Sequence, residues 1–208
     1  MYQVGLTGNI AAGKSTVARL LAGWGAAIID ADEIVHDLER PGTAVFEAIV
    51  QRFGHAILAE DGTLDRAALR GIVFDNKDAL AALNAIVHPA VAAERQRLIA
   101  EAEAAGIRVL VQDIPLLFEV MDPARFDAVI LVDAPVAARR ERLERTRGID
   151  RGTAESMIAA QMPSLEKRRR ATFVIDNDGD FDRLEERTRK VWQTIQARAG
   201  SMKGRSRR

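Results

Sequence analysis

The 208-residue chain contains no cysteine, which excludes disulfides and thiolate metal sites and suits a reducing cytoplasm. It also lacks a net charge. Thirty basic residues balance thirty acidic ones, so no global field draws it to nucleic acid or to a membrane surface. No apolar run approaches the ~18 residues that a membrane span needs. The charged and apolar segments of a signal peptide are missing, because the N-terminus enters a strand-like run almost at once. No internal repeat is present. These absences lead to the expectation of a cytoplasmic protein with no nucleic acid or membrane as its main partner. Its length is enough for one substantial core carrying small lobes.

What the chain does have stands near its start. Gly8-Asn9-Ile10-Ala11-Ala12-Gly13-Lys14-Ser15 matches the phosphate-loop pattern G-x-x-x-x-G-K-[ST] at every fixed position. An apolar run, Tyr2 to Thr7, precedes it, and Ser15 to Leu21 reads as helix, which is the context in which the pattern has a mechanism. Gly8 and Gly13 permit a loop that wraps an anion, with backbone N–H groups and a helix N-terminus aimed at phosphate oxygens. Lys14 is placed to reach the β- and γ-phosphates, and the Ser15 hydroxyl to ligate Mg²⁺. The loop implies binding of a nucleoside triphosphate.

Four nearly continuous apolar runs predict buried parallel strands at Gln3–Thr7, Ala26–Ile29, Arg108–Val111 and Ala128–Val132, with Phe173–Ile175 as a fifth. Helical patterns separate them, the first from about Lys14 to Trp24. The expected fold is therefore α/β, a three-layer phosphate-loop NTPase type with a mainly parallel sheet. Its nucleotide-binding core is assigned to 1–32, 107–138 and 171–200. The stretch 33–106 is too long for one crossover helix and predicts a helical substrate lobe, with helices at Ala44–Phe53, Asp65–Phe74 and Lys77–Val87. His88-Pro89 then marks a break before a further helix, Pro89–Ala105. Six arginines between Arg139 and Arg151 lead us to read 139–170 as a lid that closes over phosphates. Residues 201–208 carry charge with little apolar content and read as a disordered tail.

Two acids complete the pattern. Asp30 and Glu33 have capping-box spacing, which gives Asp30 a structural role. Asp32 is not needed for that cap. It follows a parallel strand at the sheet edge that also delivers the phosphate loop, where a carboxylate accepts the proton of an attacking hydroxyl. Asp113 ends a buried strand, as a Walker B acid does, and is a candidate Mg²⁺ ligand. Leu116, Leu117 and Phe118 beyond it are read as core. Asn76-Lys77-Asp78-Ala79 resembles the guanine-reading N-K-x-D pattern, but Ala79 stands at the acid position and guanine specificity is rejected.

Together these pieces resemble the dephospho-CoA kinase family. The resemblance runs from Val4 to about Asp180, through Ile29-Asp30-Ala31-Asp32, Asp61-Gly62-Thr63-Leu64, Leu83 to Pro89, Asp113-Ile114-Pro115-Leu116-Leu117-Phe118-Glu119, Ala159-Ala160-Gln161 and Val174 to Gly179. It implies transfer of the ATP γ-phosphoryl group to the ribose 3′-hydroxyl of dephospho-CoA. By similarity, Ala11, Ala12, Gly13, Lys14, Ser15 and Thr16 line the phosphates and Asp32 is the base. Asn177 and Gly179 fall either in the loop bordering adenine or in an ordinary Asn-Asp-Gly turn. Two departures stand out. The family's loop usually reads Gly-Gly-Ile-Gly-Ser-Gly-Lys-Ser, whereas Asn9, Ala11 and Ala12 replace Gly, Gly and Ser here. Relatives commonly place Arg-Asp before the lid glycine, where this chain has Thr146-Arg147-Gly148. Arg142 and Arg147 are the arginines assigned to the phosphates. The alternatives are another phosphate-loop kinase, acting on a nucleoside monophosphate or metabolite, and a nucleotide-dependent switch.

Overall fold

The computed structural model describes residues 1–205; the last three residues of the expected tail lie outside the described residues. Its elements in chain order are β1 (Tyr2–Gly8), α1 (Lys14–Gly23), β2 (Ala27–Asp30), α2 (Ala31–Leu38), α3 (Ala44–Phe53), α4 (Arg66–Phe74), α5 (Lys77–Ala104), β3 (Val109–Asp113), α6 (Leu117–Val120), β4 (Ala128–Asp133), α7 (Val136–Arg147), α8 (Arg151–Ala159), α9 (Ser164–Arg170), β5 (Phe173–Asp176) and α10 (Phe181–Arg205). The chain divides into two units: Asp30–Glu101, and the remainder.

The larger unit is built on a five-stranded sheet in the order β2-β3-β1-β4-β5. β1 pairs in parallel with β3 and β4, and β4 with β5. β1 is therefore central, and its carboxyl end opens where successive connections leave to opposite sides. That is the crevice in which open α/β sheets bind ligands. On one face Val4, Leu6, Val111, Ile130 and Ile175 join Val17 and Leu21 of α1 and Leu184, Trp192 and Ile195 of α10 in a single core. On the other face Gly5 is closely covered. A Cβ there would stand 2.5 Å from Leu117 Cδ1, so Leu117 is core, as expected, and Phe118 is buried too, while Leu116 is exposed.

The smaller unit closes its own core around Val45, Ile49, Ile57, Leu69 and Val87. Its helices begin on side-chain caps. Thr43 Oγ1 accepts from Phe46 N–H at 3.1 Å, and Asp65 Oδ1 from Ala67 and Ala68 N–H. Asn76 Oδ1 accepts from Ala79 N–H at 3.0 Å, so the Asn76-Lys77-Asp78-Ala79 stretch is a helix start.

Besides the exposure of Leu116, a residue expected in the core, two expectations are corrected. The helices assigned to Lys77–Val87 and Pro89–Ala105 are one helix of 28 residues with Pro89 inside it. Pro89 removes only one backbone donor, and the alanine-rich turns on both sides carry the helix across the gap. At the other end α10 continues through Arg205, so residues 201–205 of the expected disordered tail are helical.

Candidate phosphate-binding and catalytic site

Gly8 brings the chain out of β1 hard against β4, where a Cβ would lie 2.7 Å from the Val132 carbonyl oxygen. Five residues later Gly13 adopts φ +98° immediately before α1, with space for a Cβ already taken by Asn177 Nδ2 at 2.3 Å. Ala11, with φ 57°, has the left-handed conformation that L-residues adopt only at a cost. α1 starts with no side-chain cap and no acid in its first turn, which leaves the positive end of its dipole open.

Some of the loop's polar groups are spent on the protein. Ile10 N–H donates to Gln161 Oε1 at 2.8 Å, Ala12 N–H to Asn9 O at 3.0 Å, and Thr16 N–H to Gly13 O at 3.1 Å. Two of the loop's carbonyls are held by side-chain donors. Arg142 Nη1 donates to Ala11 O at 3.1 Å, and Asn177 Nδ2 to Ala12 O at 2.8 Å. Arg142 Nη2 also reaches Asn177 O at 3.3 Å, and Asn177 N–H donates to Asp133 O at 2.7 Å. The amides of Ala11, Gly13, Lys14 and Ser15 have no partner among the described residues, and the Ser15 side chain is exposed. What remains is a set of free N–H donors at a helix N-terminus, the arrangement that binds an anion.

Beneath it Lys14 Nζ forms an ion pair with Asp113 Oδ1. Asp113 ends β3 beside β1 and is only 2% exposed, so a charged partner offsets the cost of burying its carboxylate. Among the described residues no group of three or more His, Cys, Asp or Glu could hold a metal by itself.

The remaining candidates are placed as follows. Asp30 Oδ1 caps α2 by accepting from Asp32 N–H at 2.8 Å and Glu33 N–H at 3.3 Å, as its spacing predicts. The Asp32 side chain is exposed in the first turn of α2, and its carboxylate has no partner among the described residues. Gly179 sits in the exposed turn between β5 and α10. Arg147 is the exposed last residue of α7, while Arg142 lies against the phosphate loop. In the smaller unit Glu39 forms an ion pair with Arg66 at 2.7 Å, and Arg66 lies 3.1 Å from His36 Nδ1. Burial pushes the Glu39 carboxyl pKa above its ordinary value, against the lowering by Arg66 and His36.

The arginine-rich region is not uniform. α7 and α8 pack against each other, with Leu143 and Ala154 fully buried, and Arg140 bridges to Glu155 at 3.1 Å. α9 is bound to the sheet instead. Fully buried Lys167 pairs with Glu119 at 2.8 Å, and Arg170 Nη1 donates to Phe118 O at 2.9 Å with its guanidinium 4.9 Å from that ring. Arg168 bridges Asp176 at 2.6 Å and Asp133 at 2.9 Å, which pushes its pKa further up. Arg139 is buried, with Nε and Nη1 lacking hydrogen-bond partners among the described residues, and burial pushes its pKa down against the opposing charge of Asp133.

Sequence reasoning missed the polar contacts that Asn9, Gln161 and Ser164 make. The only available signal was that Asn9 departs from the usual glycine and that Gln161 lies in a recognised motif.

A central parallel strand running into this loop, with an acid at the end of the neighbouring strand, defines a phosphate-loop nucleotide-binding protein. The dephospho-CoA kinase family model matches residues 2–183. The dephospho-CoA kinase of Thermobifida fusca is 43% identical over 97% of this chain and 100% of its own length. That of Symbiobacterium thermophilum is 46% identical over 93% of this chain and 81% of its own. Among solved structures, a Thermus thermophilus protein aligns with TM-score 0.79 and 37% identity, covering 93% of this chain and 96% of that one. The Campylobacter jejuni dephospho-CoA kinase aligns with TM-score 0.63 and 26% identity over the same shares. The chain belongs to the dephospho-CoA kinase family and is an ATP-dependent phosphotransferase.

Proposed function

We propose that the protein transfers the γ-phosphoryl group of ATP to the ribose 3′-hydroxyl of dephospho-CoA, giving CoA and ADP. The observation that carries this reading is the open set of loop amides above the Lys14–Asp113 pair, in a chain that matches dephospho-CoA kinases over nearly all its length. The free amides of Ala11, Gly13, Lys14 and Ser15 cradle the phosphates, and Lys14 neutralises charge on the β- and γ-oxygens. Asp32 takes the proton of the attacking 3′-hydroxyl as its oxygen bonds to the γ-phosphorus. The bridging P–O bond breaks, and its electron pair leaves with ADP. The exposed, unpartnered carboxylate of Asp32 supports that role. Arg147 meets the transferring phosphoryl group from the lid. Arg142 and Asn177 act through the loop they brace, and Gly8, Thr16 and Gly179 shape the backbone around the nucleotide.

Magnesium fits the donors present. Ser15 Oγ and the Asp113 carboxylate are hard oxygen ligands, and one or two such groups plus substrate phosphates are what Mg²⁺ commonly takes. Bound there, the ion neutralises phosphate charge. The absence of cysteine supports a reducing cytoplasmic setting.

A coupled assay of ADP release tests the reaction, with strong stimulation by dephospho-CoA expected. No rate above background ATP hydrolysis sinks the proposal. Asp32→Asn is expected to lower kcat by about 10²- to 10⁴-fold with ATP affinity retained. Near-normal turnover in that variant removes Asp32 from the chemistry.

A further inference from the structure

Each residue from 9 to 12 of the phosphate loop is held by a contact from beyond residue 140. Arg142 takes the Ala11 carbonyl, Asn177 the Ala12 carbonyl, and Gln161 the Ile10 amide. Asn9 makes the fourth link through its side chain. Nδ2 donates to Ser164 Oγ at 3.1 Å and to Met162 O at 3.5 Å, at the start of α9. The next link fixes the direction of this bond. The Ser164 hydroxyl donates to Asp133 Oδ1 at 2.9 Å, so its oxygen accepts from Asn9. Asp133 in turn receives Ala134 N–H at 3.0 Å and Arg168 Nη1 at 2.9 Å. The chain Asn9–Ser164–Asp133–Arg168–Asp176 thus runs from the loop to the ends of β4 and β5.

Asn9 is 4% exposed, and its Oδ1 is buried with no hydrogen-bond partner among the described residues. A residue that served packing alone would not bring a buried acceptor left unmatched, because that oxygen costs stability wherever it goes unpaired. The compensation lies on the Nδ2 side. The loop also needs outside support, since Ala11 holds a left-handed angle without a glycine's freedom.

We propose that Asn9 is a positioning residue that holds the phosphate loop in its anion-binding shape by tying it, through Ser164 and Asp133, to the anchored helix α9. The inference rests on the reading of this loop as the ATP site and extends it. The link acts on the nucleotide and not on the acceptor, because every group in it belongs to the loop, α9 or the strand ends beside them. Helix α9 is well suited to be the fixed end, as Lys167, Arg168 and Arg170 each tie it to β4, β5 or α6.

The test compares Asn9→Ala, Ser164→Ala and the double variant in three measurements. Steady-state kinetics are run with ATP and dephospho-CoA, ADP is titrated by calorimetry, and thermal unfolding is followed in parallel. Loss of the link is expected to raise the KM for ATP and the Kd for ADP about tenfold in Asn9→Ala and about threefold in Ser164→Ala. The double variant is expected to be no worse than Asn9→Ala, because both changes cut one link. The KM for dephospho-CoA and kcat stay within about threefold. Unchanged nucleotide affinity in both single variants overturns the proposal, even if their melting temperatures fall. So do effects that multiply in the double variant. Should Asn9→Ala not fold, Ser164→Ala decides alone. A wild-type protein that binds ADP but does not phosphorylate dephospho-CoA refutes the assigned reaction, and the calorimetric arm still decides the role of Asn9.

Discussion

Gly13→Ala perturbs two things at once, and the structure separates them. At φ +98° an added Cβ brings strain of about 1–2 kcal/mol. It also meets Asn177 Nδ2 at 2.3 Å, so the amide must leave the Ala12 carbonyl that it holds at 2.8 Å. Giving up that buried hydrogen bond costs about 1–3 kcal/mol. The variant is therefore expected to lose about 2–5 kcal/mol in all, a fall in Tm of about 6–12 °C for a mid-range loss of about 3 kcal/mol. Asn177→Ala alone removes the same hydrogen bond without the strain, costing about 1–3 kcal/mol. Once Asn177 is truncated, a Cβ added at position 13 has room, and the hydrogen bond cannot be lost twice. The double variant should then be more stable than the two separate losses imply, by about 1–3 kcal/mol. Circular dichroism melts and denaturant unfolding of the four proteins measure this coupling, with ADP calorimetry reporting the loop. If the two losses add to within about 0.5 kcal/mol, the steric argument linking Gly13 to Asn177 is wrong.

Glu119→Gln leaves the fully buried Lys167 ammonium without its counter-charge and is expected to cost about 3–5 kcal/mol, seen as a lower urea midpoint; a loss below about 1 kcal/mol refutes the reading of α9 as anchored by this pair. Burial shifts the Glu39 carboxyl opposite to the usual direction for a carboxylate in a folded protein. Its pKa is raised in the folded state, so its contribution to stability is fully present below the unfolded carboxylate value and is lost as pH rises through the raised one. Glu39→Gln is expected to flatten that decline in unfolding free energy measured from about pH 4 to 7, and an unchanged profile contradicts the burial argument.

Legibility in the sequence followed the range of the interaction. The five strands lie within a residue or two of their expected limits, because short apolar runs mark sheet strands, whether buried on both faces as β3 and β4 are or half-buried at the edges as β2 and β5 are. Ala44–Phe53 matches its helix, and Asp30 caps α2 as its spacing predicts, since both depend on neighbours within one turn. His88-Pro89 misled for the same reason. Proline is a local stop signal, but a long helix with good formers on both sides tolerates one missing donor.

The sequence by itself therefore determined the phosphate loop, the strand that delivers it and the helix after it. These are local patterns whose geometry is fixed by glycine angles, helix polarity and side-chain period. Only the tertiary structure decided how that loop is held. Asn9 meets Ser164 across 155 positions, Asn177 meets Ala12 across 165, and Lys14 meets Asp113 across 99. No spacing rule connects such partners. The order of the parallel strands brings them to one sheet edge, and burial there obliges each polar group to find another.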